Sequence, residues 1–196
     1  VVGQRLALGG PGSTRPRRMD LVPEAFAAGP FDGQVLVGTD DVLRSRLSLV
    51  DLARGCSQEV ATSANVIRRA TLTPDRAAVI EFRVNRETRA DLGVFRRPLD
   101  DRERTTRLLE PIAPDAHFGP TWTTEFAWSV DGRMLAVQSC GAHACRTRIL
   151  DLRDGSVHMV ADPDQGDLVG LADGRLVVHE ACGGMPCAVV AVDLDG

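Results

Sequence analysis

The chain has no tyrosine and no lysine: all 23 of its basic residues are arginine. Such uniformity reads as the codon bias of a GC-rich genome and not as a demand for guanidinium chemistry. Aromatic residues make up only 4% of the 196 positions. The core is therefore built from Val, Leu, Ile and Ala. No apolar run approaches the roughly 18 residues that a membrane-spanning helix needs. No basic segment followed by an apolar one opens the chain, so no signal peptide is visible. The first residue is Val and not Met, so the chain reads as a mature or trimmed portion. A signal or lipid anchor removed upstream is compatible with that reading. The net charge is −4, without the basic stripe of a nucleic-acid binder, so no nucleic-acid partner is expected. No stretch carries a convincing 3.6-residue apolar stripe, so helices are not expected.

Motifs of chemistry are also missing. There is no nucleophile elbow, no phosphate-binding loop of the G-x-x-x-x-G-K-[ST] type, no H-E-x-x-H, and no Ser/His/Asp set in a motif. "SVDGRM" lacks the later aromatic of a sialidase-type Asp box, and C-x-x-C-H haem attachment is absent. The sequence thus gives no catalytic residue, no cofactor and no committed metal site, and the visible chain is expected not to be an enzyme.

Short β-branched runs separated by Asp/Gly turn signals fill the chain from Phe31 onward. "QVLVGTD", "RLSLVDLARG", "AAVIEFRV", "RMLAVQSC" and "RLVVHEAC" are examples. The class is all-β. The runs also repeat as a set. Asp131-Gly132-Arg133 returns as Asp173-Gly174-Arg175, Cys140 as Cys182, Cys145 as Cys187, and Asp151-Leu152 as Asp193-Leu194. Each of these steps is 42 residues (182 − 140, for example). A unit of that size holding four short strands matches one blade of a β-propeller, whose sheet buries its faces only by packing against the next. Four blades are placed at 20–62, 63–111, 121–162 and 167–196, the last without its outer strand. Residues 1–33 form an N-terminal strand and irregular connection ahead of the regular 34–196 region. Two ways of completing the set remain open. The blades belong to a larger propeller, or "VVGQRLAL" circles back as the missing strand.

"FAWSVDGRMLAV" (126–137) resembles the repeat of TolB-type, WD-repeat-like β-propellers, whose consensus runs aromatic–Ser–Pro–Asp–Gly–basic–x–apolar–Ala. Trp128-Ser129, Asp131-Gly132-Arg133 and Leu135-Ala136 match it, with Val130 in place of Pro. "LTPDRAAVI" keeps Thr73-Pro74-Asp75-Arg76 and loses the Gly; "GLADGRLVV" loses the aromatic and the Ser. The resemblance covers about 35–196. It implies that Asp131-Gly132 and Asp173-Gly174 are tight turns between the innermost and second strands, and not catalytic groups.

Each cysteine pair, Cys140/Cys145 and Cys182/Cys187, flanks a four-residue loop between two strands. Facing residues of an antiparallel pair have Cα atoms about 4.5–5.5 Å apart, and a disulfide spans about 4.4–6.8 Å. Each pair is therefore expected to staple its own hairpin. A zinc site of four thiolates is the rival, set back by the wide spacing and by the distance between equivalent points of neighbouring blades. Free thiols are the remaining reading. Disulfides place the protein outside the cytoplasm, secreted, periplasmic or on the cell surface. Cys56 is left over, free or paired with something beyond the visible chain. His143 and His179 read as a loop and a strand histidine.

Four further groups of residues admit both a functional and a structural reading. "HFGPTW" is the one insertion with aromatics, and His117, Phe118 and Trp122 are the candidates for a binding loop. Trp122, Phe126 and Trp128 read as core packing or as a ligand-stacking face. Asp162, Asp164 and Asp167 around Gly166 faintly resemble a calcium loop, but the twelve-residue pattern is incomplete and a plain turn competes. "RRPLDDRERTTR" (96–107) reads as a solvated outer edge. The expected function is an extracytoplasmic, non-catalytic propeller module that binds a protein or small ligand. The alternative is the propeller domain of a larger secreted hydrolase of the prolyl-oligopeptidase type.

Overall fold

The computed structural model describes residues 5–8, 17–20, 26–31, 33–113, 123–141, 145–160, 166–172, 174–180 and 189–193. They are all-β, with seventeen strands and no helix among them. The chain divides into two compact units, 1–110 and 111–196.

The first unit opens with a hairpin, β1 (Arg5–Leu8) against β2 (Arg17–Asp20). Two four-stranded antiparallel meanders follow. Blade one is β3 (Phe26–Phe31), β4 (Gln34–Asp40), β5 (Ser45–Asp51) and β6 (Cys56–Ser63). Blade two is β7 (Val66–Leu72), β8 (Ala78–Val84), β9 (Asp91–Pro98) and β10 (Thr106–Leu109). β3 pairs with β4 from Phe26 onward, so the first sheet takes in residues ahead of the regular 34–196 region. "FAAGPF" hides that strand by its Gly29-Pro30, which falls where the register shifts between Ala28 and Phe31. Proline sits in strands at such irregularities because it cannot donate to the ladder.

The second unit repeats the plan. Blade three is β11 (Thr123–Trp128), β12 (Met134–Cys140), β13 (Cys145–Asp151) and β14 (Val157–Val160). The last sheet has three strands, β15 (Gly166–Ala172), β16 (Arg175–Glu180) and β17 (Val189–Asp193).

Alternation explains the packing. In the first unit Leu36, Leu47, Ala61, Ile67, Leu72 and Val79 meet between blades one and two. In the second, Ala127, Ala136, Ile149, Leu171, Leu176 and Val178 meet between blades three and four. β8 is buried along its whole length, as a strand covered on both faces must be.

The turn between β11 and β12 follows the resemblance, and Asp173 of the second expected turn lies outside the described residues. Gly132 has φ 69° and its N–H donates to the Ser129 carbonyl at 2.8 Å. Ser129 Oγ donates to Asp131 Oδ1 at 2.6 Å and accepts from Met134 N at 2.8 Å. Blade two builds the same turn with Thr73 and Asp75, whose hydroxyl and carboxylate lie 2.6 Å apart. There Arg76 stands in the glycine position with φ 59°, a conformation that costs a side chain energy glycine does not spend.

Candidate binding face

The β4–β5 hairpin of blade one ends in "DDVLR", and its geometry is dictated by the first two residues. Asp41 Oδ1 accepts from Leu43 N at 2.8 Å and Arg44 N at 2.9 Å, while Asp41 N donates to the Arg44 carbonyl at 3.0 Å. An aspartate holding its own turn in this way fixes the loop without a buried core. Backbone hydrogen bonds from Arg44 and Leu43 keep the Asp41 carboxyl below the usual carboxylate range. The result is a braced tip that displays Val42 at 89% exposure and Leu43 at 80%.

Blade two supports that tip from the side. Arg86, in the β8–β9 loop, forks onto Asp40, with Nη2 at 2.6 Å from Oδ1 and Nη1 at 3.2 Å from Oδ2. The same guanidinium donates to the carbonyls of Asp41 at 2.6 Å and Ala64 at 2.8 Å. Asp40 also accepts from Ser45 Oγ at 2.5 Å, and Ser45 in turn accepts from Ile67 N at 3.0 Å. Forked guanidinium–carboxylate contacts fix orientation as well as charge. The β8–β9 loop is capped like its neighbour: Asn85 Oδ1 accepts from Glu87 N and Thr88 N, both at 2.9 Å.

In the second unit the corresponding hairpin of blade three is closed covalently. Cys140 and Cys145 face each other in register and form a disulfide with Cα atoms 3.9 Å apart. Cys182, Cys187, His117, Phe118, Trp122, Asp162, Asp164 and His143 lie outside the described residues. Asp167 lies on β15, in register with His179 on β16. Phe126 and Trp128 share a face of β11 by parity. Cys56 opens β6 and is a free, exposed thiol.

The opposite ends of the blades are polar. An open cleft of about 560 Å³ on blade two is lined by Ala77, Arg96, Leu99, Asp100, Asp101 and Arg104. On blade three Arg133 Nε and Nη2 reach Asp151 Oδ2 at 2.9 and 2.5 Å. That hydrogen bond, helped by the Arg153 N–H, lowers the Asp151 carboxyl to about 2.

Sequence reading missed the charge inside the first unit. Glu81 on β8 is fully buried. Its Oε2 accepts from Arg83 Nε at 2.7 Å and its Oε1 from Arg97 Nε at 2.7 Å. Arg97 also donates to the carbonyls of Thr62, at 3.1 Å, and of Arg102. Arg83 stacks over Phe95 at 4.4 Å. "RRPLDDRERTTR" is therefore not wholly a solvated edge, since Arg97 is buried. The one available signal was "EFR", a carboxylate and a guanidinium on one face of an otherwise apolar strand. No group of three or more His, Cys, Asp or Glu suited to a metal occurs among the described residues. No helix long and apolar enough to cross a membrane occurs among the described residues.

No family model matches the chain, and no curated protein does. Solved structures do. TolB from Acinetobacter baumannii superposes with a TM-score of 0.60 at 14% identity, covering 83% of this chain and 39% of that one. Oligopeptidase B from Leishmania major gives 0.57 at 13%, over 95% of this chain and 28% of that one. An oligogalacturonate lyase in complex with manganese gives 0.55 at 12%, over 85% and 51%. The chain thus spans about half or less of the length of these structures. What it shares with them is the fold, all-β and made of propeller blades.

Proposed function

We propose that this chain is an extracytoplasmic, TolB-type propeller module that binds a partner protein and performs no chemistry itself. The observation that carries the reading is the braced tip of blade one. Two adjacent aliphatic side chains project into solvent there from a turn fixed by Asp41 and by the Arg86–Asp40 fork. An exposed apolar pair on a turn that is already fixed can dock with little ordering left to do, which is what supports the reading. The disulfide at Cys140–Cys145 favours an oxidising compartment. The test is capture of partners from an extracytoplasmic extract, with the wild-type chain beside a Val42→Glu/Leu43→Glu variant. A partner retained by the first and lost by the second supports the reading. Identical capture profiles overturn it.

The superposition on oligopeptidase B over 95% of this chain favours a second reading, the propeller of a larger secreted hydrolase. A fluorophosphonate probe applied to the protein as it occurs in its source separates the two. Labelling supports the hydrolase; an unlabelled protein supports the binding module.

A further inference from the structure

The open cleft of blade two lies where β7 turns into β8 and β9 leads to β10, at the other end of β8 from the Arg86 loop. Its volume of about 560 Å³ falls within the roughly 300–1,000 Å³ of small-molecule sites. The frame of the cleft is held from behind. Leu99 N donates to the Ala77 carbonyl at 2.9 Å, and Arg104 N donates to the carbonyl and to Oδ1 of Asp101, both at 3.3 Å. Arg97, anchored on the buried Glu81, donates to the Arg102 carbonyl, and Arg102 donates to the Glu59 carbonyl at 2.8 Å.

The side chains at the mouth are engaged by nothing. Arg83, Arg86, Arg97, Arg102 and Arg107 of blade two each hold a carboxylate or a carbonyl. Among the described residues the guanidinium groups of Arg96 and Arg104 hold neither, and the Asp100 carboxylate accepts no hydrogen bond. Neither arginine forms an ion pair with Asp100 or Asp101, which line the same cleft. The Thr73 hydroxyl and then the Ala77 N–H hold the neighbouring Asp75 carboxyl below the usual carboxylate range, and the charge of Arg96 adds to this. Ala77, Pro98 and Leu99 supply the apolar part of the lining. One small volume thus presents charge of both signs that the protein leaves unmatched. Guanidinium only donates and carboxylate only accepts, so the matching ligand carries an anionic and a cationic group at once.

We infer that this cleft binds a small zwitterion, an amino acid or a short peptide, with its carboxylate on Arg96 and Arg104 and its ammonium on Asp100. Forked contacts from guanidinium to carboxylate orient such a ligand, and the fixed frame leaves only side chains to be ordered on binding. The inference is independent of partner binding at the blade-one tip.

The test is an NMR titration of the isotopically labelled whole chain with alanine, dialanine, N-acetyl-dialanine and dialanine amide, repeated on Arg96→Gln and Asp100→Asn. Saturable shifts with dialanine are expected, or with alanine as well if the ligand is a free amino acid. Capping either end of dialanine weakens binding by about tenfold or more, the loss that follows removal of one charge-assisted bond. Arg96→Gln abolishes the preference for a free carboxylate, and Asp100→Asn the preference for a free ammonium. Both variants keep the urea midpoint of the wild type, because neither side chain holds anything within the protein. The absence of saturable shifts with both alanine and dialanine overturns the inference. So do capped dialanines that bind as tightly as the free one, and so does binding that is unchanged in both variants. The capped ligands are compared on the wild type alone, so the outcome does not depend on either variant folding.

Discussion

The boundary between blades one and two and the boundary between blades three and four solve one problem with different means. Both bury a small cluster of aliphatic side chains. The first adds charge. Glu81 sits on the same β8 face as Val79, a member of the apolar cluster, and Arg97 carries its charge across to the Thr62 carbonyl of blade one. Arg102 reaches the Glu59 carbonyl at 2.8 Å, and Arg86 binds Asp40. Among the described residues the second boundary adds a neutral amide contact, Leu168 N to Gln138 Oε1 at 2.9 Å, and a bridge between Ser129 and Leu171. A blade repeat therefore fixes the sheet but not the glue. Charged glue is directional and depends on every member being present; apolar glue tolerates change.

The largest break in this comparison comes from Glu81→Gln. It leaves Arg83 and Arg97 buried without their shared counter-charge, and about 3–5 kcal/mol of stability is expected to go. Urea unfolding measures it. Gln138→Leu, the matching lesion in the second unit, strands one backbone N–H and costs about 1–3 kcal/mol. A Glu81 variant no worse than the Gln138 variant would erase the distinction.

The innermost turns sharpen the contrast at smaller scale. Arg76→Gly relieves a positive φ and is expected to stabilise the first unit by at most about 1 kcal/mol, whereas Gly132→Ala in the second costs about 1 kcal/mol. Thermal midpoints of the two variants, shifted in opposite directions, check this.

Acid gives the mildest probe. Asp151 has its carboxyl lowered from 3.8 to about 2 by Arg133. A lowered folded value means that its contribution is complete above about pH 4 and is lost as pH falls through about 2. Asp151→Asn should flatten part of the fall in urea midpoint over that window and leave neutral pH little changed. An unchanged acid limb would remove Asp151 from the account.

Much of this was legible in the residues. Asp131-Gly132 announces its turn because only a tight turn wants that pair between apolar runs, and Cys140 and Cys145 at the two ends of a short loop mark the hairpin that their disulfide closes. β3 was harder to see, since Ala and Gly carry little strand signal and Pro30 argues against a strand. The Arg97 and Glu81 contacts were invisible for another reason. Arginines in a run of mixed charge look solvated, and only the folded sheet brings Arg97 of β9 to a carboxylate sixteen positions earlier. The tip at Val42 and Leu43 looked like any hairpin until their exposure was seen beside the Arg86 fork.

The proposed role outside the cytoplasm depends on stapled hairpins, and thiol counting tests that proposal most directly. Intact mass is measured on non-reduced, unfolded protein after alkylation. The account predicts a single adduct, on the exposed Cys56, with Cys140–Cys145 and Cys182–Cys187 both protected. Alkylation of all five cysteines in metal-free protein would contradict it and return the chain to a reducing compartment.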